Sequence, residues 1–272
     1  NIEINSTGSA SISLTSVSHS GTGIFDTDSV GDLSLDGVLT RVGVGTITLE
    51  SHGGSLNIDN AWQTASGAVN MRAAENIVLT GNGDGTSTSG NLILSADHDF
   101  GSGGVQNDGT GAVTMADGTV INMGSGTISV TADENITVGQ LITSDNGAMA
   151  VSLTSAAGGI VDAGDTGGAD IQAAAGMLAV SAASGFGNAG ALEATVSAVN
   201  ISAGAGAIRL TESDGVTLTA TTNNNDQDLE LQIGGAVTVG SAISKTSGDI
   251  SIVIMGDSSL NVQNTITTGT GG

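Results

Sequence analysis

Four copies of one twelve-residue phrase constrain the fold of this chain more than any other feature. The copies are Leu56–Gly67, Ile136–Gly147, Val237–Gly248 and Leu260–Gly271, and they align position for position. Self-similarity at a fixed spacing indicates a stack of supersecondary units in which each unit contacts only its neighbours. We therefore expect no single wide globular core, and we expect function to depend on length, surface and ends.

A second motif, an apolar-x-apolar step, precedes the phrase and measures the repeat. Its first apolar positions are Ile47, Val69, Leu92, Val113, Ile128, Met149, Leu178, Ile208, Leu229 and Ile250. Most successive positions lie roughly 21–23 residues apart, which is the spacing of one solenoid coil. A second apolar anchor follows about eight residues later, and the phrase supplies a third at Trp62, Ile142, Ile243 and Ile266.

Each segment alternates apolar and polar residues, which predicts short strands and no amphipathic helix. Three such strands in about 21 residues predict an all-β fold, a right-handed parallel β-helix (β-solenoid) of about 12–13 coils. The chain contains no proline, which would remove a hydrogen-bond donor from a stacked strand. Residues 1–272 are expected to form a single array, either a segment of a longer repeat protein or a filament subunit.

Three spacings depart from the period. The short step from Val113 to Ile128 predicts a coil that has lost its third side. The two long steps predict irregular or widened coils around residues 149–208, where extra residues either loop outward or add a fourth side to the coil.

Composition excludes several classes of partner. The formal net charge is −23, with only four basic residues, so the chain lacks the clustered Lys and Arg that nucleic acids require. An anionic membrane surface is disfavoured for the same reason. No apolar run reaches the length of about 18 residues that membrane insertion needs. There is no cysteine, so disulfides do not fix the compartment.

The chain resembles a family in its repeat pattern. Gly-x-Ile-x-Leu-x-Ala, Gly158-Gly-Ile160 and Leu192-Glu-Ala-Thr-Val196 are similar to the repeat arrays of filamentous-haemagglutinin-like proteins, which are large bacterial surface adhesins and filament-like exoproteins. The resemblance implies a right-handed β-helix shaft and an extracellular location at the cell surface. No site residue carries over from the family.

Enzymatic chemistry is not expected. Glycoside hydrolysis needs two carboxylates about 5–10 Å apart, and sugar sites use aromatic platforms. Glu75 and Glu134 occupy corresponding positions, but the spacing predicts that they are three coils and about 14 Å apart. The chain has one Trp and no Tyr, and Trp62 is expected to pack in the core. The asparagines that follow Glu75 and Glu134 are expected to form a stacked amide ladder. We therefore predict no catalytic residue and no enzyme activity.

Metal and cofactor sites are not predicted either. His19, His52 and His98 are far apart and are expected to be exposed turn residues. The fragment Gly81–Gly85 resembles a calcium-roll repeat but occurs once, and Asp26–Asp32 imitates only the start of an EF-hand loop. Calcium thus remains an alternative to solvated surface carboxylates, and no cofactor is expected.

The function expected from the sequence is a structural shaft or filament unit of a bacterial surface protein. Its partner is expected to be itself, head-to-tail through the end coils, or covalently flanking repeats. The alternative is an adhesin module that binds a host or neighbour-cell surface glycan or protein through residues 149–208. The candidate binding residues of that module are Asp162, Asp165 and Asp170, lining a groove.

Overall fold

Alternating apolar and polar residues produce short parallel strands, which stack into a β-solenoid of about 11 turns. The structure is a computed structural model that describes residues 1–101, 110–188, 190–223 and 227–269. The described residues are all-β, without helix. None of them therefore belongs to a helix long and apolar enough to cross a membrane.

The first twenty strands build a three-sided stack. In chain order they are β1 (Ile2–Asn5), β2 (Ile12–Leu14), β3 (Val17–His19), β4 (Phe25–Ser29), β5 (Leu33–Leu35), β6 (Leu39–Arg41), β7 (Ile47–Ser51), β8 (Leu56–Ile58), β9 (Trp62–Thr64), β10 (Val69–Ala73), β11 (Ile77–Leu79), β12 (Gly85–Ser87), β13 (Leu92–Ser95), β14 (Val113–Met115), β15 (Val120–Asn122), β16 (Ile128–Ala132), β17 (Ile136–Val138), β18 (Gln140–Ile142), β19 (Val151–Ser155) and β20 (Ile160–Asp162).

Each strand pairs in parallel with its counterpart in the turns before and after it. The first side contains β1, β4, β7, β10, β13, β16 and β19, the second begins with β2, and the third begins with β3. Side chains alternate across each strand, so Ile47 and Leu49 are buried while Thr48 between them is partly exposed. The core is thus a narrow apolar stack along the axis.

Trp62 lies in this core, 1% exposed, which confirms its predicted packing role. Its partner in the next turn is Gly85. A Cβ atom at Gly85 would lie 2.0 Å from Trp62 Cζ2. The large indole is therefore accommodated because the residue stacked on it has no side chain.

The predicted third-side anchor Ile142 is wrong, because it is only partly buried and its neighbour Leu141 is the core residue. Two predicted first positions of the repeat are also wrong. Val113 does not begin a coil: it pairs with Ile77 and Ile136 on the second side. The turn that contains it is 36 residues long, and β15 supplies the third side that the spacing predicted to be missing. Met149 is 59% exposed, and Val151 is the residue that pairs with Ile128. Apolar and polar residues alternate around Val113 and around Met149 as predicted, but neither residue is the first inward residue of a first-side strand.

The last ten strands are β21 (Ile171–Ala182), β22 (Leu192–Ala203), β23 (Ile208–Glu212), β24 (Val216–Asn223), β25 (Leu229–Ile233), β26 (Val237–Val239), β27 (Ile243–Lys245), β28 (Ile250–Ile254), β29 (Leu260–Val262) and β30 (Ile266–Thr268). The fourth copy of the phrase ends at Gly271, outside the described residues.

The sides of the solenoid are exchanged within residues 171–223. Strand β21 begins on the third side, paired with β18, and continues onto the first side, paired with β19. Strand β22 follows the same course above it. Strand β23 then spans the second and third sides through pairing with Phe186 and the start of β22. We call this rearrangement the side exchange.

Beyond the side exchange the first side is divided. The two halves of β24 pair separately with β26 and β27, while β25 and β28 stack on β23. The five-residue strand of a sequence unit therefore changes its place in the solenoid. Before the side exchange it lies on the first side, as β7 does, and after the exchange it lies on the merged second and third sides, as β25 does. The exchange and the long turn account for about 11 turns instead of the predicted 12–13.

Inward polar side chains close the corners. Ser51 Oγ donates to the carbonyl of Gly31 at 2.9 Å, and Thr143 Oγ1 donates to that of Gly126 at 2.6 Å. Arg41, 2% exposed, donates to the carbonyl of Gly23. These bonds satisfy corner carbonyls that no strand reaches.

Candidate functional site

The predicted binding residues lie on one loop of the solenoid. Asp162 ends β20 and Asp170 immediately precedes β21, so the intervening residues 163–169 leave the stack. Asp165 is exposed on this loop, whereas Asp170 is 2% exposed. The loop is fixed to the shaft by Thr166, whose Oγ1 donates to Asp117 Oδ2 at 2.6 Å. Gln140 Nε2 also donates to the Gly168 carbonyl at 2.9 Å.

The structure brings together two of the three predicted residues and adds a third. One carboxylate oxygen from each of Asp162, Asp170 and Glu193 lies within 4.8 Å of the others. We call these three residues the acidic cluster. Asp165 is not part of it, although its charge acts on Glu193. Glu193 was not identified from the sequence. The feature that could have identified it is its spacing, because it follows Asp170 by 23 residues, which is one turn of the solenoid.

Burial governs the electrostatics of the acidic cluster. It raises the pKa of Asp170 to about 8, partly opposed by the Glu193 backbone N–H, which donates to Asp170 Oδ2 at 3.0 Å. Burial also raises the pKa of Glu193, and the nearby Asp162 charge raises both. Asp170 therefore retains its proton near neutral pH, which limits the negative charge of the cluster.

A second cluster lies on the first side near the start of the chain. Asp28, Glu50 and His52 bring oxygen and nitrogen atoms within 4.8 Å of one another, and Arg72 donates to Glu50 at 2.8 Å. The His52 ring stacks on Phe100 with a centroid distance of 4.0 Å. Burial and the neighbouring carboxylates raise the pKa of Asp28.

The prediction that the histidines are exposed turn residues is confirmed for His52 only, because His19 ends β3 and both His19 and His98 are partly buried. His98 packs edge-on against Phe100 at 4.8 Å, so His52 and His98 contact the same ring. His19 accepts a hydrogen bond from Arg41 Nε at 3.3 Å. The long turn that follows β13 brings Phe100 back over the earlier turns, and the sequence alone does not show where an insertion of this length folds.

The pair Glu75 and Glu134 is closer than predicted. Because Ile77, Val113 and Ile136 stack consecutively, the two glutamates lie two turns apart, about 10 Å from the strand spacing. Their asparagine neighbours form no continuous ladder, since Ala112 stacks between them. Asn76 Oδ1 instead accepts the Ala112 N–H at 2.9 Å, and Asn135 Oδ1 accepts that of Gly159 at 2.8 Å.

Each of the four basic residues is bonded within the chain. Arg72 pairs with Glu50 and Arg209 with Glu230, while Arg41 and Lys245 are buried and donate to backbone carbonyls. The basic side chains are thus dispersed along the shaft, and each already binds a carboxylate or a backbone carbonyl. The formal net charge of the whole chain is −23.

The last described turn has an open end. Strands β28, β29 and β30 pair with β25, β26 and β27, and within the described ranges their other edges have no partner. A cavity of about 330 Å³ at this end is lined by Ile250, Ile252, Leu260 and Ile266. Leu260 stacks on the fully buried Val237, yet it is 48% exposed. We call this surface the end face.

The acidic cluster and the end face have to be interpreted from their own residues, because comparison with known proteins gave no match. No protein-family model, curated protein or solved structure matches this chain.

Proposed function

We propose that this protein is a structural β-solenoid shaft of a bacterial surface protein, extended by axial stacking of turns. The observation that carries the proposal is the end face, where core positions such as Leu260 and Ile266 remain exposed. A further turn, from flanking repeats or from another copy, would continue the strand ladder and bury these side chains.

The first turn supports the same mode of contact. Strands β1, β2 and β3 pair with β4, β5 and β6 on one edge only, within the described residues. Ile2, Ile4 and Ile12 are only partly buried there. Both ends thus present three strand edges around an apolar centre, so one end can receive the other head-to-tail.

The acidic surface favours axial over lateral contact. Like charges along the sides oppose side-by-side association of rods, whereas the end face is lined mainly by apolar residues. An extracellular position at the bacterial surface follows from the resemblance of the repeat pattern, and protease accessibility on intact cells tests it. The proposal assigns no catalytic residue.

Electron microscopy of the purified chain tests the stacking. We expect rods that join end to end, with an axial repeat of roughly 50 Å from about 11 turns at the strand spacing. Leu260→Asp places a charge in the end face and should leave single rods. Val44→Asp adds the same charge at a residue that is 63% exposed and should leave joining unchanged. Single rods in the unaltered chain, or equal joining in both variants, would contradict the proposal.

The alternative is an adhesin module, and the loop of residues 163–169 is the observation that favours it. This loop projects from the shaft, is anchored through Thr166, and presents Asp165 to solvent. Carboxylates there suit a polyhydroxyl glycan or a basic protein segment. Glycan-array binding that is lost in Asp165→Asn and kept in Asp257→Asn would support the adhesin, whereas binding unchanged in Asp165→Asn would oppose it.

A further inference from the structure

A buried carboxylate without a partner lies at the corner after β16. Asp133 is 2% exposed, and neither Oδ1 nor Oδ2 has a hydrogen-bond partner. A carboxylate removed from water normally requires donors or a counter-charge, because desolvation disfavours the bare ion. This residue is therefore a candidate ligand for a group that carries positive charge.

The backbone holds Asp133 in place from both neighbouring turns. Its N–H donates to the Gly111 carbonyl at 3.1 Å, and its carbonyl accepts from Ala157 at 2.7 Å and from Gly158 at 3.0 Å. The main chain at this corner is therefore hydrogen-bonded to the turn above and to the turn below.

A second carboxylate lines the same cavity, which has a volume of about 130 Å³. Asp97 occupies the position stacked next to Asp133, because the preceding residues Ser95 and Thr131 are paired. Asp97 has a φ of 53°, the left-handed region that Asp tolerates better than most residues. Ser95 and Thr131 add hydroxyl groups to the lining.

We propose that this cavity binds a hard divalent cation, Ca²⁺, between Asp97 and Asp133. The side-chain donors that line it are oxygens, which excludes the nitrogen and sulfur sets typical of zinc. Ca²⁺ accepts irregular sets of carboxylate, hydroxyl and water ligands, whereas Mg²⁺ demands a near-ideal octahedron. The bound ion ties the long turn between β13 and β16 to the shaft at the point where that turn leaves it.

The acidic cluster differs from this site in one decisive respect. Asp170 already has a partner in the Glu193 backbone N–H, and its raised pKa keeps a proton there. Asp133 has no such partner. The two places can therefore be separated by single substitutions.

Calcium titration of the EDTA-stripped full chain, followed by calorimetry, tests the proposal. We expect one binding event, weakened at least about 100-fold by Asp133→Asn because the buried charge is the main attraction. Asp170→Asn and the exposed Asp257→Asn should bind as the unaltered chain does. Absence of binding in the unaltered chain, binding retained in Asp133→Asn, or binding lost in Asp170→Asn would each overturn it.

Thermal unfolding provides a second readout that a merely structural Asp133 would not give. At about 100 times Kd, Ca²⁺ should raise the Tm of the unaltered chain by about 5–10 °C. In EDTA, Asp133→Asn should melt above the unaltered chain, because the substitution removes an uncompensated buried charge. In Ca²⁺ that order should reverse. The same order in both conditions would refute the cation site.

Discussion

Inward polar residues of this solenoid differ in how their hydrogen-bonding groups are satisfied. Arg41 and Lys245 donate to carbonyls of the preceding turn, whereas Glu212 accepts the N–H groups of Val196 and Asp214. Burial raises the pKa of Glu212 to about 7, so this carboxyl also holds a proton near neutrality. The alternation of residue types predicts which side chains point inward. It does not predict their partners, because those come from the next turn.

Asp170 should make stability fall as pH rises. Its pKa is raised from 3.8 to about 8 in the folded chain, so between these values the folded state binds the proton that the unfolded state releases. The contribution is fully present below about pH 4 and is lost as pH rises through about 8, at up to about 1.4 kcal/mol per pH unit. Asp170→Asn should flatten this slope in unfolding measured between pH 5 and pH 8.

Asp257→Asn, an exposed change of the same kind, is the control and should keep the slope. Burial also raises the pKa of Glu193, which faces Asp170, so the slope belongs to this pair of carboxyls. An unchanged slope in Asp170→Asn would show that Asp170 does not titrate in this window.

At the scale of the strand, side chains that stack in neighbouring turns are matched in size, as the large Trp62 and the small Gly85 show. Gly85→Ala should destabilise the chain by about 1–3 kcal/mol, because the new methyl group overlaps the Trp62 ring. Gly81→Ala is the matched control, since a Cβ there meets nothing within 4 Å, and it should change stability by about 0.5 kcal/mol or less.

A double-mutant cycle in urea separates this overlap from a general intolerance of alanine. Trp62→Ile removes the ring and leaves a void beneath Gly85, so Gly85→Ala should cost less in that background. Additive effects of the two substitutions would contradict size matching between β9 and β12.

The strands themselves could largely be predicted from the sequence, because period-two alternation acts locally. Ile47, Val69 and Leu92 stack as the spacing predicts. The side exchange could not be predicted, since Ile208 repeats the same local motif while stacking on Phe186 of the second side. Likewise Asp162 and Asp170 stood out as neighbours in sequence, whereas Glu193 and Asp133 gain their significance only from contacts between turns.

For the whole molecule, charge should control association of the ends. With a net charge of −23, two copies repel as they approach along the axis, even though the end faces are apolar. Salt shortens the screening length from about 30 Å at 0.01 M to about 3 Å at 1 M. We therefore expect sedimentation velocity to show longer assemblies in high salt, and Leu260→Asp to suppress them at every salt concentration. Assemblies that dissociate in salt would instead indicate ion pairs between copies.

The side exchange also limits how such an array can grow by duplication. Copying one 22-residue unit within β4–β12 inserts a layer whose three strands pair in the same parallel register as the strands above and below. A recombination could instead join a unit from before residue 171 directly to a unit from after residue 223. The five-residue strand of the first side would then have to pair with two separate short strands, because the first side is divided beyond the side exchange. Lineages can thus lengthen or shorten either arm freely, while the junction between the arms must be inherited intact.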